Sequence, residues 1–210
     1  MSEIRKELNE RVVKKKTLAV GPYIYYANSL LSLEEKNKIK EKYGRILLFF
    51  PSHGCVEGNI FYEIDTLIKE LKAIKERFKF DTVIVNMFYY DILYTNYASL
   101  YEEAGFVITT AGHRYDLNFI SRLKSIIELA DATASNAFGT NIGFSIYLKN
   151  PFLYIHSDSI VSDNSMVSEV LTSFKDYNLK ITEQQYSVVS KYWGFDSIKT
   201  PDQIKIFCNS

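Results

Sequence analysis

The sequence has few cysteines, no excess charge of either sign and no long hydrophobic run. Cys55 and Cys208 are too few for a disulfide framework, and without a secretory signal we expect a reducing, cytoplasmic environment. The 25 basic residues balance the 25 acidic ones, whereas nucleic-acid binders usually carry excess positive charge, so we expect no nucleic-acid partner. Apolar stretches such as 46–51 are far shorter than the ~20 residues that cross a bilayer, which leaves at most peripheral membrane association.

What the sequence does contain is an alternation of strand and helix patterns. Its 210 residues, 47% of them hydrophobic, suffice for one sizeable folded domain. Residues 45–50 (RILLFF) form a near-continuous apolar run, which is typical of a strand buried on both faces. The predicted strands are 45–50, 82–86, 106–109, 131–135 and 151–155. The predicted helices that alternate with them or follow are 65–78, 91–103, one capped by Asp116, 140–148, 161–174 and 182–192.

This order predicts the fold class α/β: a Rossmann-like, doubly wound parallel sheet of about five strands with helices on both faces, plus N- and C-terminal helices. We divide the chain into a leader and bridge, 1–43, and a Rossmann-like domain, 44–210. Residues 1–16 predict a short amphipathic helix with a basic end, read as a solvated leader in preference to a membrane-docking helix. Residues 17–28 predict an extended segment, and Ser32 with Glu35 predicts a capping box for a helix that Gly44 ends.

The loops after the predicted strands collect the unusual residues. In an open parallel sheet, ligands bind beyond the carboxyl ends of the strands. All three histidines, His53, His113 and His156, lie in these loops, and we expect no comparable collection at the opposite edge. The alternative is that loops are polar in any case. The residues predicted to bind substrate are Ser52, Gly54, Gly112, His113, Ser135, Asn136, Gly139, Thr140, Asn141 and His156.

The segment 135–140 is the most informative of these loops. Gly139 and Thr140 open a helix, whose free N–H groups and dipole favour an anion. The hydroxyls of Ser135 and Thr140 can donate to phosphate oxygens, and Gly143, one turn on, suits close packing of helix on strand. An ordinary capped helix is the alternative reading. Neither a Walker loop nor the dinucleotide-binding glycine pattern is present.

Two further side chains are candidates for contact with a leaving phosphate. His53 ends the most buried strand, and the alternative is a histidine that packs on the next helix. Arg114 suits bidentate binding of phosphate, and the alternative is a surface ion pair with Asp116 or Glu102. Cys55 is a poor nucleophile candidate because side chains two residues apart after a strand do not normally meet. No spacing indicates a metal site.

These residues together resemble a known family. The stretches 44–53 (GRILLFFPSH), 111–116 (AGHRYD), 119–131 (FISRLKSIIELAD), 135–136, 139–143 (GTNIG) and 148–151 (LKNP) look like the C-terminal half of GT-B type glycosyltransferases, with most similarity to enzymes of bacterial capsule and O-antigen synthesis. Residues 20–33 resemble the bridge between the two halves of such enzymes.

The resemblance implies a nucleotide-activated sugar as ligand, with no required metal and no cofactor. It implies that Ser135, Gly139 and Thr140 hold the donor phosphates, and that His53 and Arg114 are the catalytic residues that neutralise the leaving group. Many relatives place a ribose-binding glutamate in the helix after the glycine turn, and residues 141–145 contain no acid. The residues before the first strand are too few for the acceptor half, so we expect a partner subunit, self-association or a longer parent chain to supply it.

Two other functions are consistent with the same architecture. A nucleotide-sugar epimerase or hydrolase would need a pair of carboxylates in the cleft, for which Asp91, Asp116 and Asp158 are the candidates. A non-catalytic nucleotide-binding subunit would be stabilised by ligand without turnover. The sequence predicts neither the sugar nor the base.

Overall fold

The structure is a computed structural model that describes residues 2–13, 15–52, 63–155 and 165–209. The strands are β1 (Ile46–Phe50), β2 (Thr82–Asn86), β3 (Val107–Thr109), β4 (Ala132–Ser135) and β5 (Phe152–Tyr154). The helices are α1 (Glu3–Val13), α2 (Leu33–Tyr43), α3 (Ile64–Phe78), α4 (Tyr89–Tyr94), α5 (Tyr97–Glu103), α6 (Phe119–Leu129), α7 (Thr140–Tyr147), α8 (Ser165–Thr172), α9 (Glu183–Trp193) and α10 (Pro201–Cys208). Each described helix is too short or too polar to span a bilayer.

The five strands form one parallel sheet in the order β3-β2-β1-β4-β5. The chain therefore starts in the middle at β1, builds outward to β3, and returns to place β4 and β5 on the other side. This is the doubly wound, Rossmann-like α/β arrangement that the alternation of strands and helices predicts. The predicted fold class, including helices at both ends of the described chain, is confirmed.

The central strand β1 shows why its sequence is continuously apolar. All five of its residues are buried, and they alternate between two hydrophobic clusters. Leu47 and Phe49 pack with α3 on one face of the sheet, whereas Ile46, Leu48 and Phe50 pack with α6 and α7 on the other. Because both faces carry helices, neither can be polar.

The capping box predicted before α2 is present, whereas the prediction of a single helix over 91–103 is wrong. Ser32 accepts from the backbone N–H of Glu35, whose carboxylate accepts from Ser32, so the predicted capping box is confirmed. The predicted helix 91–103 is instead two helices, α4 and α5. The Thr95 hydroxyl donates to the Asp91 carbonyl and accepts from the Tyr97 N–H, at 2.6 and 3.2 Å. A side chain that offers the backbone these alternative bonds ends the helix there.

The residues before β1 pack on the domain. Residues 17–31 are mostly without regular structure, but Tyr23–Tyr26 forms one 3₁₀ turn in which Ile24 is fully buried. The Tyr26 hydroxyl bonds to the backbone of Val20 and Lys199, which ties this segment to the C-terminal part of the chain. The division at residue 44 stays a prediction.

Candidate functional site

The site lies at the centre of the sheet, where β1 and β4 are neighbours and their outgoing chains diverge. Ser52, just beyond β1, donates its backbone N–H to Oδ1 of Asn136, just beyond β4, at 2.7 Å. The amide Nδ2 of Asn136 donates in turn to the Ser52 hydroxyl at 3.2 Å. Asn136 is only 3% exposed, so its side chain joins the two strand ends from within. A sheet whose strand order reverses at such a point opens a crevice there.

A cavity of about 350 Å³ occupies this crevice. Its walls come from residues 50–52 at the end of β1, 86–88 at the end of β2, 111 and 112 after β3, and 135 and 137–141 between the end of β4 and the start of α7. Phe119 and Leu123 of α6 close one side. Four strand ends therefore meet in one cavity, while the residues that follow β5 at 156–164 lie outside the described residues.

The amino end of α7 faces this cavity without an N-cap side chain. Gly139 occupies the N-cap position, and glycine has no side chain that could accept from the first-turn N–H groups. Thr140 is exposed, and its hydroxyl has no hydrogen-bond partner among the described residues. A Cβ on Gly139 would lie 2.7 Å from Oδ1 of Asn141, so the Asn141 side chain lies close to Gly139. The free N–H groups and the helix dipole make this corner suitable for an anion.

Ser135 lines the cavity, but its hydroxyl is already bonded. It donates to the Ala137 carbonyl at 3.2 Å and accepts from the Ala137 N–H at 3.1 Å. Ser135 is also only 1% exposed. The structure therefore gives this hydroxyl a role in shaping the turn before Gly139, and its predicted bond to a phosphate would require these contacts to open.

The three residues from the loop after β3 are placed differently. Gly112 lines the cavity with φ of +84°, in the left-handed region that favours glycine, whereas His113 and Arg114 are exposed and do not line it. The His113 ring lies 4.6 Å from the Tyr89 ring. The Arg114 guanidinium lies over the Tyr115 ring at 4.9 Å and donates to its hydroxyl at 3.2 Å, not to Asp116 or Glu102.

An arginine that the sequence analysis missed holds this loop in place. Arg122 of α6 donates to the Ala111 carbonyl and to Oδ2 of Asp116, the latter at 2.8 Å. A Cβ on Gly112 would lie 2.7 Å from Nη1 of Arg122, so glycine is needed for the guanidinium to fit. The clue in the sequence was Asp116, a carboxylate six residues before Arg122 that could pair with it.

The expected role of Asp116 as N-cap of α6 is wrong. The N-cap is Asn118, whose side chain makes no capping bond, and Oδ1 of Asp116 accepts from the Asn118 N–H at 2.8 Å. Asp116 thus folds the turn that leads into the helix. This backbone bond and, second, the bond from Arg122 hold the pKa of Asp116 below its usual value.

Asn86 is a second residue that the sequence analysis did not place in the site. It ends β2 and lines the cavity, and its Oδ1 is buried without a hydrogen-bond partner among the described residues. A buried amide oxygen without a partner is costly, and such groups call for an explanation. A ligand that donates a hydrogen bond to it would provide one. The only clue in the sequence was a polar residue at the end of the strand TVIVN.

The expected packing partner of Gly143 is also corrected. A Cβ at this position would lie 2.0 Å from the indole ring of Trp193. Gly143 therefore permits the close approach of α9 to α7, where we expected a strand.

Several predicted residues lie outside the described residues, namely His53, Gly54, Cys55, His156 and Asp158. No described lining residue of the cavity is charged. Asp91, a candidate carboxylate of the epimerase or hydrolase alternative, is buried in α4 and does not line it. Over the described ranges, no group of three or more His, Cys, Asp or Glu is placed to hold a metal.

No protein-family model matches the sequence, and no curated protein matches it. Among solved structures, three of the wall teichoic acid polymerase TagF are similar. One has 13% identity and a TM-score of 0.37, covering 89% of this chain and 44% of the polymerase chain. Another has 17% identity and a TM-score of 0.35, covering 83% and 42%. The third has 16% identity and a TM-score of 0.35, covering 84% and 41%. This chain spans less than half of each polymerase chain, and a likeness this distant assigns no function.

Proposed function

We propose that this chain is a glycosyltransferase-type domain whose sheet-edge cavity binds a nucleotide-activated sugar used in bacterial surface polysaccharide synthesis. The observation that carries the proposal is the uncapped amino end of α7 opening into a cavity of about 350 Å³ at the point where the strand order reverses. Cavities of this size and position are the usual ligand sites of doubly wound sheets.

The donor phosphates would lie at the Gly139–Thr140 corner. The described lining is uncharged, so the negative charge would be stabilised by first-turn N–H groups, the helix dipole and the Thr140 hydroxyl. His53 follows Ser52 directly in the chain, and we retain it as the residue that neutralises the leaving phosphate. Arg114 would have to leave Tyr115 to join it.

The rest of the cavity suits the less polar part of such a ligand. Met87, Phe88, Phe119 and Leu123 provide apolar walls, against which a base or sugar face can pack. Oδ1 of Asn86, which has no partner among the described residues, is available to accept a hydrogen bond from an N–H or hydroxyl of the ligand. An apolar cavity with a few well-placed polar groups is the usual design of a small-molecule site.

In the transfer itself, the bond from the anomeric carbon to the leaving phosphate oxygen breaks, and an acceptor oxygen forms the new bond. The acceptor hydroxyl loses its proton to a base. None of the described lining side chains is a base at neutral pH, so we propose that a partner subunit, a second copy or a further part of the parent chain supplies the base and completes the acceptor site.

A thermal-shift series tests the binding claim. We expect at least one of the UDP-, CMP-, GDP- and dTDP-sugars to raise the melting temperature, since a ligand of the folded state stabilises it. Thr140→Val removes the hydroxyl at nearly constant volume, and we expect it to reduce the shift. Thr66→Val is the matched control, because Thr66 is also exposed in the first turn of a helix but lies outside the cavity.

A shift equal in Thr140→Val and wild type, or a response to free nucleosides alone, would count against phosphate binding at this corner. The second candidate, a non-catalytic nucleotide-binding subunit, is favoured by the absence of a base among the described lining residues. It predicts the same thermal shift but no release of free nucleotide from the donor in the presence of acceptor and partner.

A further inference from the structure

A second cavity of about 470 Å³ lies on the outer side of α7, between this helix and α1, α8 and α9. Aromatic rings form much of its wall: Tyr23 of the bridge segment, Phe144 of α7, and Tyr192 and Trp193 of α9. Thr140 lines both this cavity and the one at the sheet edge. The two cavities therefore adjoin at the amino end of α7.

The aromatic walls are held rigidly. The Tyr192 hydroxyl is hydrogen-bonded to Glu169 of α8, and Lys191 also pairs with Glu169 at 2.9 Å. Trp193 packs against Gly143, where no side chain intervenes. Flat, preorganised rings with hydroxyls at their edges provide both apolar contact and hydrogen bonds, a combination that suits the C–H face and hydroxyls of a sugar ring.

Among the described lining residues of this cavity, Arg5 alone is charged. Arg5 of α1 lines the cavity, and its guanidinium makes no hydrogen bond or ion pair with any described residue. The neighbouring charges are satisfied, because Lys6 pairs with Glu3 at 3.4 Å and Glu169 with Lys191. A guanidinium without a partner is suited to a carboxylate or phosphate.

We propose that this second cavity binds a sugar unit that carries an anionic group, and that this unit is the acceptor. The aromatic rings would contact the sugar, and Arg5 would bind its carboxylate or phosphate. Because Thr140 borders both cavities, such an acceptor would lie beside the donor phosphates. Its role as acceptor rests on the proposed function, whereas its binding can be measured without any donor.

Trp193 is the only tryptophan of the sequence and therefore reports directly on this cavity. We would titrate the protein with glucose 6-phosphate, glucuronate and glucose while following its emission, up to about 10 mM, a range that covers millimolar affinities. We expect a saturable change with at least one of the two anionic sugars, and binding of glucose about tenfold weaker, the size of one hydrogen bond to a charged group. The arm that responds identifies the anion as phosphate or carboxylate.

Arg5→Gln should weaken the anionic response about tenfold for the same reason. Arg11→Gln, an equally exposed arginine of α1 that does not line the cavity, should leave it unchanged. The thermal shift from nucleotide sugars should be the same in both variants.

No emission change with either anionic sugar, an equal response to glucose, or equal effects of the two variants would overturn the inference. Loss of the nucleotide-sugar shift in Arg5→Gln would assign Arg5 to the donor site instead. If neither the wild type nor either variant shows that thermal shift, the proposed function is overturned. The emission titration then still tests sugar binding on its own.

Discussion

The two edges of the sheet differ in the polar groups that meet the central strands, which are carboxylates at the amino edge and neutral amides and hydroxyls around the cavity at the carboxyl edge. Both edges hold one buried amide oxygen without a partner among the described residues, Oδ1 of Asn150 before β5 and Oδ1 of Asn86 at the end of β2. At the amino edge, Asp131 accepts from the Ile46 N–H at 2.8 Å and from Lys40 at 2.6 Å, and Asp81 accepts from the Arg45 N–H at 2.7 Å. At the carboxyl edge, Oδ1 of Asn86 and the Thr140 hydroxyl have no partner among the described residues. Our expectation that only the carboxyl edge collects titratable groups is therefore wrong.

This difference indicates which polar residues stabilise the fold. The carboxylates at the amino edge accept hydrogen bonds from backbone N–H groups at the strand starts, and these bonds stabilise the sheet. At the carboxyl edge, Oδ1 of Asn86 is buried with no partner among the described residues, a cost in stability that a protein tolerates where a ligand completes the bond. The comparison can be tested by asking whether stability and ligand binding respond to different edges.

The largest expected effect is at the amino edge. Asp131→Ala removes the acceptor for both the Ile46 N–H and the Lys40 ammonium, and we expect the free energy of unfolding to fall by about 1.5–3 kcal/mol. Asp176→Ala is the control, since Asp176 is exposed and makes no bond to a described residue. Urea denaturation measures both. Equal stabilities would show that the amino edge does not depend on this carboxylate.

Two asparagines at the carboxyl edge, the buried Asn136 and the half-buried Asn86, extend this test. Asn136→Leu leaves the Ser52 N–H without its acceptor and should lower the free energy of unfolding by about 1–2 kcal/mol. Asn86→Leu removes an oxygen that has no partner among the described residues and should change it by no more than about 0.5 kcal/mol, or raise it.

The same pair separates stability from binding. Asn86→Leu should reduce the thermal shift produced by the nucleotide sugar even though the protein itself is no less stable. If Asn86→Leu destabilises as much as Asn136→Leu, the oxygen has a structural role, and the contrast between the edges is lost at this position.

The sequence predicted those parts of the molecule that depend on local pattern. The apolar run of β1, the capping box at Ser32 and the strand ends that surround the cavity follow from periodicity and chain order. The helix α10 was missed, although Thr200, Pro201 and Gln203 carry a capping box and a proline at its start. This helix has eight residues and none of them is buried, so it lacks the apolar face that identifies the helices packed on the sheet.

What the sequence could not predict depends on distant residues or on bonds between side chains. In the sequence, Arg122 is one of several basic residues in predicted helices. Only the fold brings its guanidinium against Gly112. From the sequence, the Ser135 hydroxyl is predicted to donate a hydrogen bond to a phosphate, but in the fold it bonds to the backbone of Ala137. Oδ1 of Asn86 has no partner among the described residues because of its surroundings in the fold, which no local pattern encodes.

The smallest expected effect concerns pH and the loop after β3. The pKa of Asp116 is lowered by the Asn118 N–H and by Arg122, so the ionised carboxylate stabilises the folded state. That contribution is complete above the unfolded pKa and is lost as pH falls through the folded pKa. We expect Asp116→Asn to melt slightly below wild type near pH 7, with the difference closing below about pH 4. Asp176→Asn should show no such closure, and a difference for Asp116→Asn that grows on acidification would contradict the assignment.

The most direct test of the ligand-binding corner is a nitrogen–proton correlation NMR titration with a nucleotide sugar that gives a thermal shift. We predict that the amide signals of Gly139, Thr140 and Asn141 move in a saturable way, while those of Ile46 and Asp131 at the opposite edge stay in place. Stationary signals at the amino end of α7, with ligand bound elsewhere, would contradict the account.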